Sequence, residues 1–151
     1  IIGSATKRYN TIYSATFSGT ATQAQYADLA ENYLANAKLE PGTVVIFGGE
    51  QEISMTRLHE DDRVAGVVSE NPAYLMNSAQ EGEFVTAIAL QGRTKVKVAG
   101  LVRKGAMLVT SSKEGFACAT SSPKIGTIIG KSLEDKTTPG EGLIEVVVGR
   151  V

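Results

Sequence analysis

The chain has one cysteine, one histidine and no tryptophan in 151 residues, and each scarcity removes a class of chemistry. A lone thiol, Cys118, forms no internal disulfide, so folding is compatible with a reducing cytoplasm. With His59 as the one imidazole, a His/Cys zinc site cannot be built within a single chain, and only a site shared by symmetric copies on an axis remains. A nucleophilic cysteine needs a base. His59 stands in the polar run Leu58-His-Glu-Asp-Asp-Arg63, which reads as a solvated surface turn, so Cys118 reads as a buried or half-buried strand residue. There is no basic excess: 15 Lys and Arg stand against 16 Asp and Glu, with a pI near 5.9, and such a chain has no field to gather nucleic acid or anionic membrane. Apolar runs stay far short of the ~20 residues needed to span a bilayer, so no membrane insertion is expected. Gly-x-Ser-x-Gly and Gly-Lys-Ser/Thr patterns are missing, Glu60-Asp61-Asp62 lacks the Gly-punctuated loop of a calcium site, and no metal or cofactor is expected. The start, Ile1-Ile-Gly-Ser4, has neither an initiator Met nor the regions of a signal peptide, and reads as a piece of something longer.

What the chain does have is short β-branched runs. They cover residues 43–47, 63–68, 83–90, 94–102, 106–110, 126–130 and 143–151, separated by Gly-Gly, Pro-Gly, Gln-Gly, Lys-Gly and Ser-Ser-Pro. Strand-length runs between turn signals predict a compact, mainly β domain, a barrel or sandwich, over residues 41–151. In Thr94-Lys-Val-Lys-Val98 the strict alternation sends lysines to water and valines to the core. Gly42 precedes Gly66 by nearly the spacing that separates Gly105 from Gly130, in similar apolar surroundings. That echo fits a duplicated β unit whose halves complete one barrel; ordinary turn chemistry is the alternative. Residues 26–40 form a connector whose Tyr26–Lys38 portion has the best helix propensity in the chain, enough for a short helix. Asn71–Ser78 reads as a loop or one helical turn.

Residues 1–25 pose a different problem. Their large apolar side chains are Ile1, Ile2, Tyr9, Ile12, Tyr13 and Phe17, scattered among Ser, Thr, Ala and Gly. Such a segment cannot by itself offset roughly 1–2 kcal/mol of backbone entropy per ordered residue. Three copies wound about one axis solve this: Ile2, Tyr9, Ile12, Tyr13 and Phe17 meet their symmetry mates and become the trimer interface, while small residues allow close approach. A Ser/Thr-rich linker is the alternative, and it leaves the aromatics unexplained.

The string Thr6-Lys-Arg-Tyr-Asn-Thr-Ile-Tyr-Ser-Ala-Thr-Phe-Ser-Gly-Thr-Ala21 resembles the K-R-W-N-x-I-Y-A-x-x-F-x-G-x-A segment that precedes the C-terminal domains of tailed-phage tail fibres. From Tyr26-Ala-Asp-Leu-Ala-Glu-Asn-Tyr33 through Glu40-Pro-Gly-Thr-Val-Val-Ile-Phe47 to the end, the chain is similar to terminal domains of marine and cyanophage-type fibre proteins. The resemblance implies a virion protein made in the host cytoplasm, homotrimeric, at the distal end of a tail fibre, with fibre assembly and host attachment as its role. More distantly, Asp28-Leu-Ala-Glu31 is similar in spacing to the Asp-Tyr-Ala-Glu motif of the intramolecular-chaperone autocleavage domains of phage tailspikes. It departs in having Leu29 for the aromatic and in lacking the aromatic, acidic run after the Glu. That likeness implies a domain that trimerises its fibre and cuts itself off, with Asp28 and Glu31 as the catalytic carboxylates, one ionised and one kept protonated. A solvated acidic pair is the alternative. Recognition by a fibre tip falls to loops, here Gly48–Asp62, Ser69–Glu83 and Lys131–Gly142. Tyr74 supplies one ring per subunit as the receptor-contact candidate, with host cell-surface glycan the expected partner besides the chain itself.

Overall fold

A computed structural model of the chain describes residues 1–149. Residues 1–27 contain no strand or helix, and from residue 28 the chain is a ten-stranded β domain, mainly β as the runs predict. The strands are β1 (Asp28–Leu34), β2 (Val44–Phe47), β3 (Ile53–Met55), β4 (Val64–Val68), β5 (Tyr74–Met76), β6 (Val85–Ala99), β7 (Met107–Thr110), β8 (Ala117–Thr120), β9 (Ile128–Ser132) and β10 (Glu141–Val148).

Pairing closes the sheet twice around β6. Its first part pairs antiparallel with β1 and β4; β4 pairs with β2, β2 with β3, and a parallel bridge from Ile53 to Ala35 returns to the end of β1. Its second part pairs antiparallel with β10; β10 pairs with β9, β9 with β7, β7 with β8, and a parallel contact from Ala117 to Val98 returns to β6. The two circuits are one unit used twice. Gly42 N–H donates to Val68 O at 2.9 Å and Val68 N–H to Thr43 O at 2.9 Å; Gly105 N–H donates to Ser132 O at 2.8 Å and Ser132 N–H to Ala106 O at 3.0 Å. Both turns place the glycine at positive φ, 85° at Gly42 and 83° at Gly105, the conformation a type II turn demands and a side chain resists. The glycine echo is therefore a structural duplication.

Gly66 and Gly130 have a different task. Each lies opposite a register shift, between Val45 and Ile46 in the first unit and between Leu108 and Val109 in the second. A Cβ at Gly66 would lie 2.4 Å from Ala89 O, and one at Gly130 2.1 Å from Val147 O. Only glycine lets the neighbouring backbone approach so closely at a bulge.

The core has two clusters. One holds Ala35, Val45, Ile53, Ala65, Val68 and Ile88; the other gathers Val96, Val98, Leu108, Ile144 and Val146 with Val44 and Val67. Successive residues of a strand face opposite ways, so Val44 and Val45, like Val67 and Val68, feed different clusters. Strands β2 and β4 are thus buried on both faces, which is why they read as unbroken apolar runs rather than alternating ones. Along the second part of β6, Val96 and Val98 are fully buried and Lys95 is exposed, as the alternation predicts, while Lys97 is half-buried against Glu40 instead of reaching open water.

Four expectations change. The short helix in the 26–40 connector is replaced by β1, because Ala30 and Asn32 enter the core and tertiary pairing outweighs propensity. The runs 83–90 and 94–102 are one 15-residue strand: the Gln91-Gly92 break is bridged because Gly92 pairs with Asp28 on one side and Val148 on the other. The 48–62 and 69–83 loops contain β3 and β5, and Asn71–Ser78 includes a strand instead of a helical turn; β8 likewise had no run to announce it. Of the last expected run, Arg150 and Val151 lie outside the described residues.

Candidate functional site

The stem residues Ile2, Tyr9, Ile12, Tyr13 and Phe17 are all exposed in the single chain, Ile12 at 73%, Tyr13 at 95% and Phe17 at 78%. The stem's hydrogen bonds are local: Ser4 and Lys7 exchange backbone bonds at 2.9 and 3.2 Å, and Ser14 Oγ donates to Thr16 O at 2.6 Å. Tyr74 sits on the edge strand β5, 67% exposed, beside Leu29 of β1 in parallel register.

The structure does not bring Asp28 and Glu31 together. Burial along β1 alternates, with Asp28, Ala30 and Asn32 inward and Leu29, Glu31 and Tyr33 on the other face. Three strand steps separate the two carboxyl-bearing residues by about 10 Å along the axis. Glu31 Oε2 accepts a hydrogen bond from Tyr33 Oη at 2.6 Å, and the Tyr33 ring meets Phe47 edge-on at 5.5 Å. Asp28 is only 4% exposed, and its Oδ2 is buried with no hydrogen-bond partner. Its backbone carbonyl holds the β5 side of the domain by accepting from Ala73 N–H at 2.8 Å.

Asp28 opens onto a cavity of about 270 Å³ where the stem enters the domain. Besides Asp28, it is lined by Gln25, Tyr26 and Ala27, the Pro41-Gly42 turn, residues 68–71, and Arg93, Thr94, Lys95, Leu143 and Glu145. Ser69 is 8% exposed, and its Oγ is a second buried oxygen without a partner. Charged groups elsewhere in the domain find each other: Arg63 with Asp61, Lys97 with Glu40, Arg57 with Glu114, Lys113 with Glu141, Lys124 with Glu60. The charged side chains around this cavity make no ion pair among the described residues.

A second polar cluster lies on the 58–63 turn. His59 is exposed, as expected of a surface turn, and Cys118 is a half-buried strand residue, yet Sγ and His59 Nδ1 are 3.5 Å apart. Sequence distance hid this pairing of the lone thiol with the lone imidazole. The pair is not an activated nucleophile: burial, and secondly the carboxylate of Glu60, push the thiol pKa up, and a reactive cysteine needs it lowered. Asp61 corrects the reading of Glu60-Asp61-Asp62 as a solvated turn. Its side chain is 3% exposed, with Oδ1 accepting from Arg63 N–H and Nε at 3.0 Å each and Oδ2 from Nη2 at 2.8 Å. The Arg63 hydrogen bonds hold its carboxyl below the usual carboxylate range. Its own N–H donates to Thr110 Oγ1 at 2.7 Å, tying the turn to β7. These are structural roles, and a polar tripeptide carries no signal that one member turns inward.

No protein-family model matches the chain, and no curated protein sequence does. Among solved structures, the chain is similar to the N base of the head fibre protein gp8.5 of bacteriophage phi29, at 15% identity and a TM-score of 0.47, over 81% of this chain and 94% of that one.

Proposed function

We propose that this chain is the trimeric C-terminal tip of a phage tail fibre, in which residues 1–25 wind into an intertwined stem and the β domain is carried at the distal end for fibre assembly and host attachment. The observation that carries this reading is the contrast in burial. The domain covers its own core, whereas Ile2, Tyr9, Ile12, Tyr13 and Phe17 lie uncovered in the single chain. Burying each such side chain against symmetry mates contributes about 1.5–3 kcal/mol, and their exposure in the single chain leaves them free to pair between copies. Attachment then draws on three domains held together, so a weak site per subunit suffices. Light scattering at micromolar concentration is expected to return three times the 15.9 kDa chain mass, falling toward one when residues 1–25 are removed; a stable full-length monomer overturns the reading. A longer chain recovered in two pieces, and left intact by Asp28→Asn, would replace the tip with a self-cleaving chaperone domain.

A further inference from the structure

We infer that the cavity at the stem junction is a binding site for one neutral hexose unit of a surface glycan, which names a ligand class and a place for the attachment proposed above. Two of the residues that line it, Asp28 and Ser69, each carry a buried oxygen without a partner, Asp28 Oδ2 and Ser69 Oγ. A buried polar atom without a partner costs about 1–3 kcal/mol, so the site is completed by something that brings hydrogen-bonding groups to it. The chemistry around the two atoms narrows the class. Carboxylates of Asp28, Glu70 and Glu145 accept hydrogen bonds from hydroxyls, while Arg93 and Lys95 donate to hydroxyl oxygens, and the near balance of the two signs disfavours a strongly charged ligand. Vicinal hydroxyls are donor and acceptor at once and match such a mixed lining. Tyr26, 45% exposed, offers a ring for the apolar face of a pyranose. At about 270 Å³ the cavity falls just below the ~300–1,000 Å³ of sites for drug-sized ligands, a size for one ring and not a chain.

The two orphaned oxygens are closed off from bulk water, but Gln25 and Tyr26 make no hydrogen bond among the described residues, and the nearest tie is Arg93 N–H to Ala27 O at 3.2 Å. Binding through Asp28 Oδ2 therefore requires the covering of that oxygen to move, and Gln25 and Tyr26 are the lining residues least held in place. Because the whole cavity belongs to one chain, binding does not depend on the trimer.

The test is saturation-transfer NMR titration of the full chain with methyl α-glucoside, methyl α-galactoside and methyl α-mannoside, with light scattering on the same samples. At least one glycoside is expected to saturate with a Kd on the order of millimolar, as befits a small ligand with few contacts. Asp28→Asn is expected to weaken it about tenfold or more, the loss of one charge-assisted hydrogen bond, and Arg57→Ala, in an exposed pair with Glu114 that does not line the cavity, to leave it unchanged. Glu145→Gln is the second variant, read in the same way should Asp28→Asn fail to fold. If no glycoside saturates, or if Asp28→Asn and Glu145→Gln bind as the parent does, the site is refuted whatever the oligomeric state. A monomer that binds through Asp28 would keep the site and sink the fibre-tip reading alone.

Discussion

The first β unit, residues 28–91, and the second, residues 92–149, share one hydrogen-bonded plan and differ in everything attached to it. The glycine turn, the crossing bonds from Gly42 and Gly105, the bulge opposite Gly66 and Gly130 and the closing parallel bridge recur. The polar groups do not. Where the first unit has Asp61 clasping Arg63, the second has Lys124, whose carbonyl accepts from Thr127 Oγ1 at 2.7 Å. After the fourth strand of the unit, the first inserts the β5 segment, whereas the second folds residues 133–140 around Lys136. That ammonium is buried and donates to Gly100 O at 2.8 Å and to Thr138 O and Gly140 O at 2.5 Å each. Backbone geometry is what the duplication preserves, and side-chain chemistry is where the halves are free to diverge; the cavity takes residues from both units and combines the shared Pro41-Gly42 turn with polar side chains particular to this corner.

The strongest way to break the comparison is at its shared glycines. Gly66→Ala and Gly130→Ala each push a methyl into a backbone carbonyl that cannot retreat without losing strand pairing, and each is expected to cost about 3 kcal/mol or more. Urea unfolding of the two variants should show comparable losses. A mild effect at one of them would mean that its bulge yields, and that the units are alike in topology only.

Lys136→Met sharpens the difference between the units. Three carbonyls lose their donor, so about 2–3 kcal/mol of stability should go with it. Hydrogen exchange should quicken across residues 133–140 and leave residues 69–83 unchanged; equal loosening of both segments would refute a local role.

Asp61→Asn gives the smallest effect, about 1.5 kcal/mol for weakened hydrogen bonds to a half-exposed arginine. Its signature is pH dependence. The folded carboxyl titrates below its unfolded value, so its contribution is complete above the unfolded pKa of about 3.9 and is lost as pH falls through the lower folded value. The parent's stability advantage over Asp61→Asn should therefore shrink on acidification below about pH 4. An advantage constant down to pH 2 would show that the ion pair is not its source.

Much of the β architecture was legible from the chain because its cause is local. Val44–Phe47, Val64–Val68 and the Lys95–Val98 alternation announce strands by β-branching and period, and the Gly42/Gly66 and Gly105/Gly130 spacings hint at a duplication without separating it from common turn chemistry. Strands β1, β3, β5 and β8 were hidden for the opposite reason: their residues are polar, small or helix-favouring, and partners distant in sequence make them strands. The candidate site was less legible still. Asp28 drew attention as half of an Asp-x-x-Glu pair, but strand alternation sends Glu31 to the other face. The sequence by itself determined that the domain is β and that residues 1–25 lack the apolar density to cover themselves, since composition and periodicity act residue by residue; that the glycine echo is a duplication and not common turn chemistry took the matching hydrogen bonds and register shifts to decide. Only the tertiary structure decided that Cys118 meets His59, that Asp61 turns inward to Arg63, and that Asp28, Ser69, Arg93 and Glu145 border one cavity. Those encounters depend on which strands pair, and pairing is settled by the packing of the whole core.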